Sequence, residues 1–142
     1  MTRSEVVAES RAWIGTPFAH QGHLKGIGCD CVGLVGGVAV ALGLLPNGWW
    51  LQGFNHAGYP RQPDGRFIDI CREYMTEIDI NLAQPGDAVA MRFRRDPQHL
   101  GLLSSDTSIV HALSSVGRVT EHRIDSRWRR LVTHAFRLPG IA

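Results

Sequence analysis

The spacing of apolar residues changes character near Pro85. Before it they recur at helical intervals; after it they alternate as in strands. Residues 4–14 place Val6, Val7, Ala8, Ala12, Trp13 and Ile14 on one broad face, and Gly15-Thr16-Pro17 stops that helix. Residues 18–28, FAHQGHLKGIG, read as a Gly/His loop. After Asp30-Cys31 the run VGLVGGVAVALGLL predicts a second helix, with Asp30 as N-cap and Gly43 or Pro46 as stop. Its glycines at 33, 36 and 37 are poor helix formers, so they predict close packing against another element. A third helix is predicted over 66–79. Strands are predicted near 87–93, 99–104, 108–113, 117–123 and 131–137, with turns at Arg95-Asp96-Pro97, Ser104–Thr107 and Ser114–Gly117. Residues 46–65 form the longest irregular stretch, and the adjacent Trp49 and Trp50 argue against disorder there. Helices first and strands later predict an α+β domain with about five strands.

The chain has 142 residues, 44% of them apolar and 20% charged. That fits one domain over 1–142 and excludes a disordered tail, a collagen-like fibre and a coiled coil. The uncharged run Val32 to Phe54 is broken by six glycines, a proline and an asparagine, so no membrane span is predicted. The N-terminus MTRSEVVAESRAW does not read as a secretory signal; the expectation is a chain cytoplasmic when made or carried out by another vehicle. The formal charge of +2 is uneven: six basic residues face nine acids over 1–91, and nine arginines face four acids over 92–142. Arginine suits anionic carboxylates, although a solvated face is the plainer reading. Without an aromatic stacking ladder between Arg92/Arg94/Arg95 and Arg127/Arg129/Arg130, nucleic acid is not the expected partner.

Three cysteines make a disulfide framework unexpected. Cys71 sits at helical spacing from Phe67, Ile68, Tyr74 and Met75 and reads as a small buried hydrophobe. Cys31 follows a good N-cap, where the helix dipole favours a thiolate, and its small neighbours Val32 and Gly33 would leave the sulfur accessible. A thiolate needs a base, usually histidine. Seven are available: His20, His23, His56, His99, His111, His122 and His134. His99 and His111 flank a predicted hairpin centred on Ser105. A loop of Ser104–Asp106 would pair them directly, with Cβ atoms ~4.5–5.5 Å apart. One ring would then accept the thiol proton while the other orients it. A rival constellation is a zinc-binding module using His20, His23, Cys29 and Cys31, although Cys-x-Cys is tighter than the usual zinc spacing. Nothing in the proposed chemistry requires a metal or cofactor.

The segment WIGTPFAHQGHLKGIGCDCVGLV resembles the catalytic segment of the NlpC-type cell-wall cysteine peptidases, with Asp30-Cys31-Val32-Gly33-Leu34 matching their Asp-Cys-small-Gly signature. Pro85-Gly86-Asp87, His99-Leu100-Gly101-Leu102 and Ser108-Ile109-Val110-His111-Ala112 are similar to later motifs of that family, in the same order. The His-Gln-Gly loop and the stretch Tyr59-Pro60 to Pro63-Asp64-Gly65 resemble its phage-tail and gene-transfer-agent branch. The resemblance implies a papain-like α+β fold in which the helix bearing the nucleophile packs on an antiparallel sheet. It implies a thiol protease hydrolysing peptidoglycan stem peptides, typically between D-γ-glutamyl and a diamino acid. Cys31 would be the nucleophile, His99 the base and His111 the orienting residue. Phage-tail proteins would be partners, and the location a virion acting on the cell wall. Where the family commonly has tyrosine this chain has Phe18, which cannot donate to an oxyanion; Gln21 and His20 are candidate substitutes beside the Cys31 N–H. Asp30, Trp49 and Trp50 complete the candidate substrate or oxyanion set. The alternative is a binding module that kept the fold and lost useful turnover.

Overall fold

The first two helices begin where the sequence supplies a cap. In the computed structural model, which describes residues 1–46, 66–93 and 97–141, Thr2 and Glu5 form a reciprocal capping box for α1 (Arg3–Ala12). Asp30 caps α2 (Cys31–Ala41) by accepting the Gly33 N–H at 2.8 Å. Gly43, at φ +73°, follows its end, as the sequence predicts. Among the described residues no helix is long and apolar enough to cross a membrane.

Two expectations are corrected. The loop before Cys31 is not wholly irregular: β1 (His23–Leu24) and β2 (Gly28–Cys29) form a small hairpin. The third helix, α3 (Phe67–Tyr74), does not reach residue 79. Met75 turns extended (φ −135°, ψ 163°) and the chain becomes β3 (Thr76–Ile78), which pairs with β8 (Val132–Arg137). The sheet therefore has six strands rather than about five. Its other members are β4 (Ala88–Met91), β5 (His99–Ser105), β6 (Ser108–Leu113) and β7 (Arg118–Arg123), in the order β3-β8-β4-β5-β6-β7, antiparallel throughout. A single turn, α4 (Ser126–Arg129), lies between β7 and β8.

Strand alternation builds two apolar layers. Ala88, Ala90, Leu100, Leu102, Val110, Ala112 and Phe136 face the helices and pack with Leu34, Val35 and Val38 of α2. Cys71 is fully buried in that layer, as predicted. Val89, Met91, Ile109 and Ala135 face the other way and pack with Ile124 and Trp128. The α2 helix is thus apolar all round because α1, the β1–β2 hairpin and the main sheet pack around it. At the start of β4 the fully buried Asp87 carboxylate forms an ion pair with Arg3 (2.9 Å) and, through both oxygens, accepts from Arg137 (3.1 Å each).

Candidate active site

The motif at Cys31 is built by contact between backbone and backbone. Gly22 O accepts the Asp30 N–H at 3.2 Å, and the Gln21 N–H donates to Asp30 Oδ2 at 2.7 Å. Asp30 therefore holds the loop with one oxygen and caps the helix with the other. Gln21 meets this demand at φ +61°. Gly33 is what lets the loop approach, since a Cβ there would fall 1.7 Å from Gly22 O. Gly33→Ala is expected to destabilise the fold by about 1–3 kcal/mol, because an overpacked site must move its neighbours and here the neighbour is backbone. Thermal unfolding checks this, and an unchanged Tm would refute it.

Cys31 is not accessible as its small neighbours suggested: it is 9% exposed. Its thiol donates to the Gln98 carbonyl at 3.8 Å, and the Leu100 N–H faces the sulfur. The structure so brings Sγ to the backbone on either side of His99, without a hydrogen bond from Sγ to a histidine ring among the described residues. Burial is the largest influence on the thiol and raises its pKa strongly; the Asp30 carboxylate raises it further. The N–H groups of Leu100 and Val32 oppose this and lose. The helix-dipole expectation of a ready thiolate is thus overturned by desolvation.

His99 and His111 share one face, as the alternation predicts, but the register differs. The loop is Asp106-Thr107, because Ser105 pairs with Ser108, Leu103 with Ile109 and Leu102 with Val110. Continued, that register sets Gly101 opposite His111, and His99 becomes a diagonal neighbour two residues on. The even offset keeps both rings on one side of the sheet. Gly101 makes the diagonal possible, since a Cβ there would lie 3.0 Å from His111 Cβ and 2.6 Å from Ile109 Cδ1. His99 Nε2 and His111 Nδ1 are 2.8 Å apart. His111 Nε2 is in turn 2.8 Å from His122 Nε2, and His122 Nδ1 donates to the Arg123 carbonyl at 2.8 Å. Burial lowers His99 to about 3, and burial with its two histidine neighbours lowers His111 to about 2. Both rings rest neutral at ordinary pH.

These shifts set an expectation for the resting protein. A thiol raised above its ordinary value carries little thiolate at neutral pH, so Cys31 should alkylate with iodoacetamide more slowly than free cysteine at pH 7.5. The rate should climb with pH and show no plateau below pH ~9. A plateau at acid or neutral pH, measured by mass spectrometry of the Cys31 peptide, would establish a resting ion pair instead.

The remaining candidates separate clearly. Phe18 is half-buried, packs on the helix-side core and gives its N–H to Gly117 O, so its ring supplies no donor to the site. Gln21 acts through its backbone on Asp30. Trp49, Trp50 and Tyr59 lie outside the described residues. The zinc alternative is corrected: among the described residues no group of three or more His, Cys, Asp or Glu could hold a metal ion. His23 and Cys29 instead face each other across the β1–β2 pair, and burial pushes the Cys29 thiol up to about 12. Sequence reasoning missed His122, Phe93 and Trp128. Phe93 lies 4.9 Å from the His99 ring, and Trp128 covers His111 (5.4 Å) and His122 (4.6 Å). A signal for His122 existed: His122 pairs with Ile109, so it is diagonal to His111 on the same face.

No protein-family model and no curated protein matches this sequence. Solved structures do match it. The NlpC/p60 domain of the peptidoglycan hydrolase SagA aligns over 97% of this chain and 100% of its own, at 19% identity and TM-score 0.66. An NlpC/P60 family protein from Bacillus cereus aligns over 96% of this chain and 40% of its own, at 16% identity and TM-score 0.70. The peptidoglycan hydrolase RipB from Mycobacterium tuberculosis aligns over 96% and 64%, at 21% identity and TM-score 0.64. With its capped helix on a six-stranded antiparallel sheet, this chain has the NlpC/p60 fold.

Proposed function

We propose that this chain is a cysteine peptidase that hydrolyses peptidoglycan stem peptides, with Cys31 as nucleophile, His99 as base and His111 as the residue that orients His99. One observation carries the reading: Cys31 opens the capped helix with its sulfur on the β5 backbone beside His99, whose ring is bonded to His111. The likeness to solved peptidoglycan hydrolases supports the substrate class.

The chemistry follows from two neutral partners. As the sulfur attacks the scissile carbonyl carbon, the S–H proton passes to His99 Nδ1, the ring nitrogen nearer the backbone that Sγ contacts. Catalytic hydrogen bonds that are open in a free enzyme tighten when substrate is bound. The oxyanion is held by helix-start donors. The Gly33 N–H is taken by Asp30, whereas the Cys31 N–H, at the first helical position, has no acceptor within the helix. Collapse breaks the C–N bond, and the leaving amine takes the proton from His99. Water, deprotonated by His99, then resolves the thioester and frees the thiol.

The preferred bond is the one between D-γ-glutamyl and the diamino acid; delivery by a phage tail rests on the loop motifs alone. The test is mass spectrometry of defined muropeptides after incubation with wild type and with Cys31→Ala. Cleavage at that bond by wild type only supports the peptidase. No cleavage by wild type over a broad pH range points to a binding module of the same fold.

A further inference from the structure

We propose that His122 is the outer end of a three-histidine proton relay: it fixes the tautomer of His99 and receives the positive charge that His99 acquires from the thiol. This rests on the reading of Cys31 and His99 as nucleophile and base.

The tautomers follow from one fixed acceptor. The Arg123 carbonyl can only accept, so His122 carries its proton on Nδ1. In its uncharged form His122 presents a lone pair at Nε2, which accepts from His111 Nε2–H. His111 Nδ1 is left as an acceptor, so His99 donates from Nε2. Of the three unprotonated ring nitrogens, those of His111 and His122 are used as acceptors within the chain of rings, which leaves the lone pair of His99 Nδ1, the position a general base needs. A backbone carbonyl two rings away thereby decides which nitrogen faces the reaction.

The same chain answers a difficulty in the mechanism. His99 is buried, and a buried imidazole with nowhere to send its charge is a poor base. Here the charge has a path. The thiol proton bonds to His99 Nδ1, the His99 Nε2 proton moves to His111 Nδ1, and the His111 Nε2 proton moves to His122 Nε2. Each ring gains and loses one proton except His122, which keeps Nδ1–H and ends as the cation. His122 is half-buried, whereas His111 is fully buried. The groups around it suit a cation. Trp128 of α4 lies against its ring at 4.6 Å, and the carboxylate of Asp125, the α4 N-cap, is near enough to sense its charge. His111 and Ile109 face it from β6. The return path protonates the leaving amine by the same hops reversed.

Two variants and two readouts test this. His122→Gln can still accept the His111 N–H but cannot hold a proton; His122→Phe can do neither. In 15N spectra of the wild type and of His122→Gln at pH 8, His99 and His111 should both be Nε2–H tautomers. In His122→Phe, His99 should become a mixture. On muropeptides His122→Gln should lose about tenfold or more in kcat with KM within about twofold, and the acidic limb of its kcat profile should move down by about one pH unit. A purely structural role would lower kcat and leave the limb in place, and that result overturns the relay. So does an Nδ1–H tautomer at His99 in the wild type. The spectra need no turnover: a wild type that cleaves nothing but shows the expected tautomers refutes the peptidase and keeps the histidine geometry. His122→Gln and the wild-type spectrum decide the matter even if His122→Phe does not fold.

Discussion

Alanine at Cys31 should lower kcat/KM on muropeptides by ~10⁴-fold or more, and alanine at His99 should cost nearly as much. The double variant should be no worse than either single one, because nucleophile and base act as one unit and the second loss removes nothing further. The neutral resting state sharpens this expectation. A pre-formed thiolate would keep some nucleophilicity without its base. A buried thiol whose proton is held cannot, so His99→Ala should be as severe as Cys31→Ala rather than milder. His111→Ala should be less damaging, since it leaves both reacting atoms and removes only what orients them. Stopped-time muropeptide assays with circular dichroism as a folding control measure all four. Additive losses in the double variant would mean that Cys31 and His99 do not share a step, and the proposed mechanism would then be wrong.

How far the sequence foretells this site depends on the kind of information each feature needs. The Cys31 helix is local: a capping aspartate, an apolar run and a glycine stop are all contained in it, and the structure agrees to within a few residues. The five main strands are equally legible, because β4, β5, β6 and β8 alternate between two apolar layers and β7 alternates around the buried Val119. Parity carries over too, so His99 and His111 face the same way. The register does not, since it turns on whether the hairpin loop is Ser104–Asp106 or Asp106-Thr107, a choice made by an irregularity between Leu103 and Ser105. His122 is only half legible for a related reason: parity along its strand marks its face, but its link to His111 exists only once the β6–β7 register is known. β3 is too short to show any alternation and is extended only because an edge beside β8 is open to it. The thiol is the clearest miss. Helix dipole and N-cap are written locally, whereas the burial that outweighs them comes from β5, distant in sequence.

Asp87 to alanine is the stability counterpart of these losses, with an expected cost of about 3 kcal/mol. Its position was marked in the sequence by Pro85-Gly86-Asp87, but not its purpose, because the residues that answer it stand at opposite ends of the chain. Arg3 comes from α1 and Arg137 from the end of β8, and both converge on a carboxylate with no exposed surface. The Gln84 N–H donates to the same carboxylate at 3.0 Å, closing the turn that leads into β4. Breaking a buried pair costs ~3–5 kcal/mol when a charge is left stranded. The lower end applies here because the two arginine side chains are 20% and 28% exposed and can turn to water. For a domain of this size the loss should appear as a fall in Tm of about 10 °C. Asp87→Asn should fall between wild type and alanine, since the amide oxygen can still accept the Gln84 N–H but offers no charge to either guanidinium. Added salt should change the wild-type Tm little, because a buried pair is poorly screened. An Asp87→Ala protein melting within ~2 °C of wild type would show that α1 and β8 are joined by apolar packing alone. In that event Asp87 would be left with the single task of closing its turn.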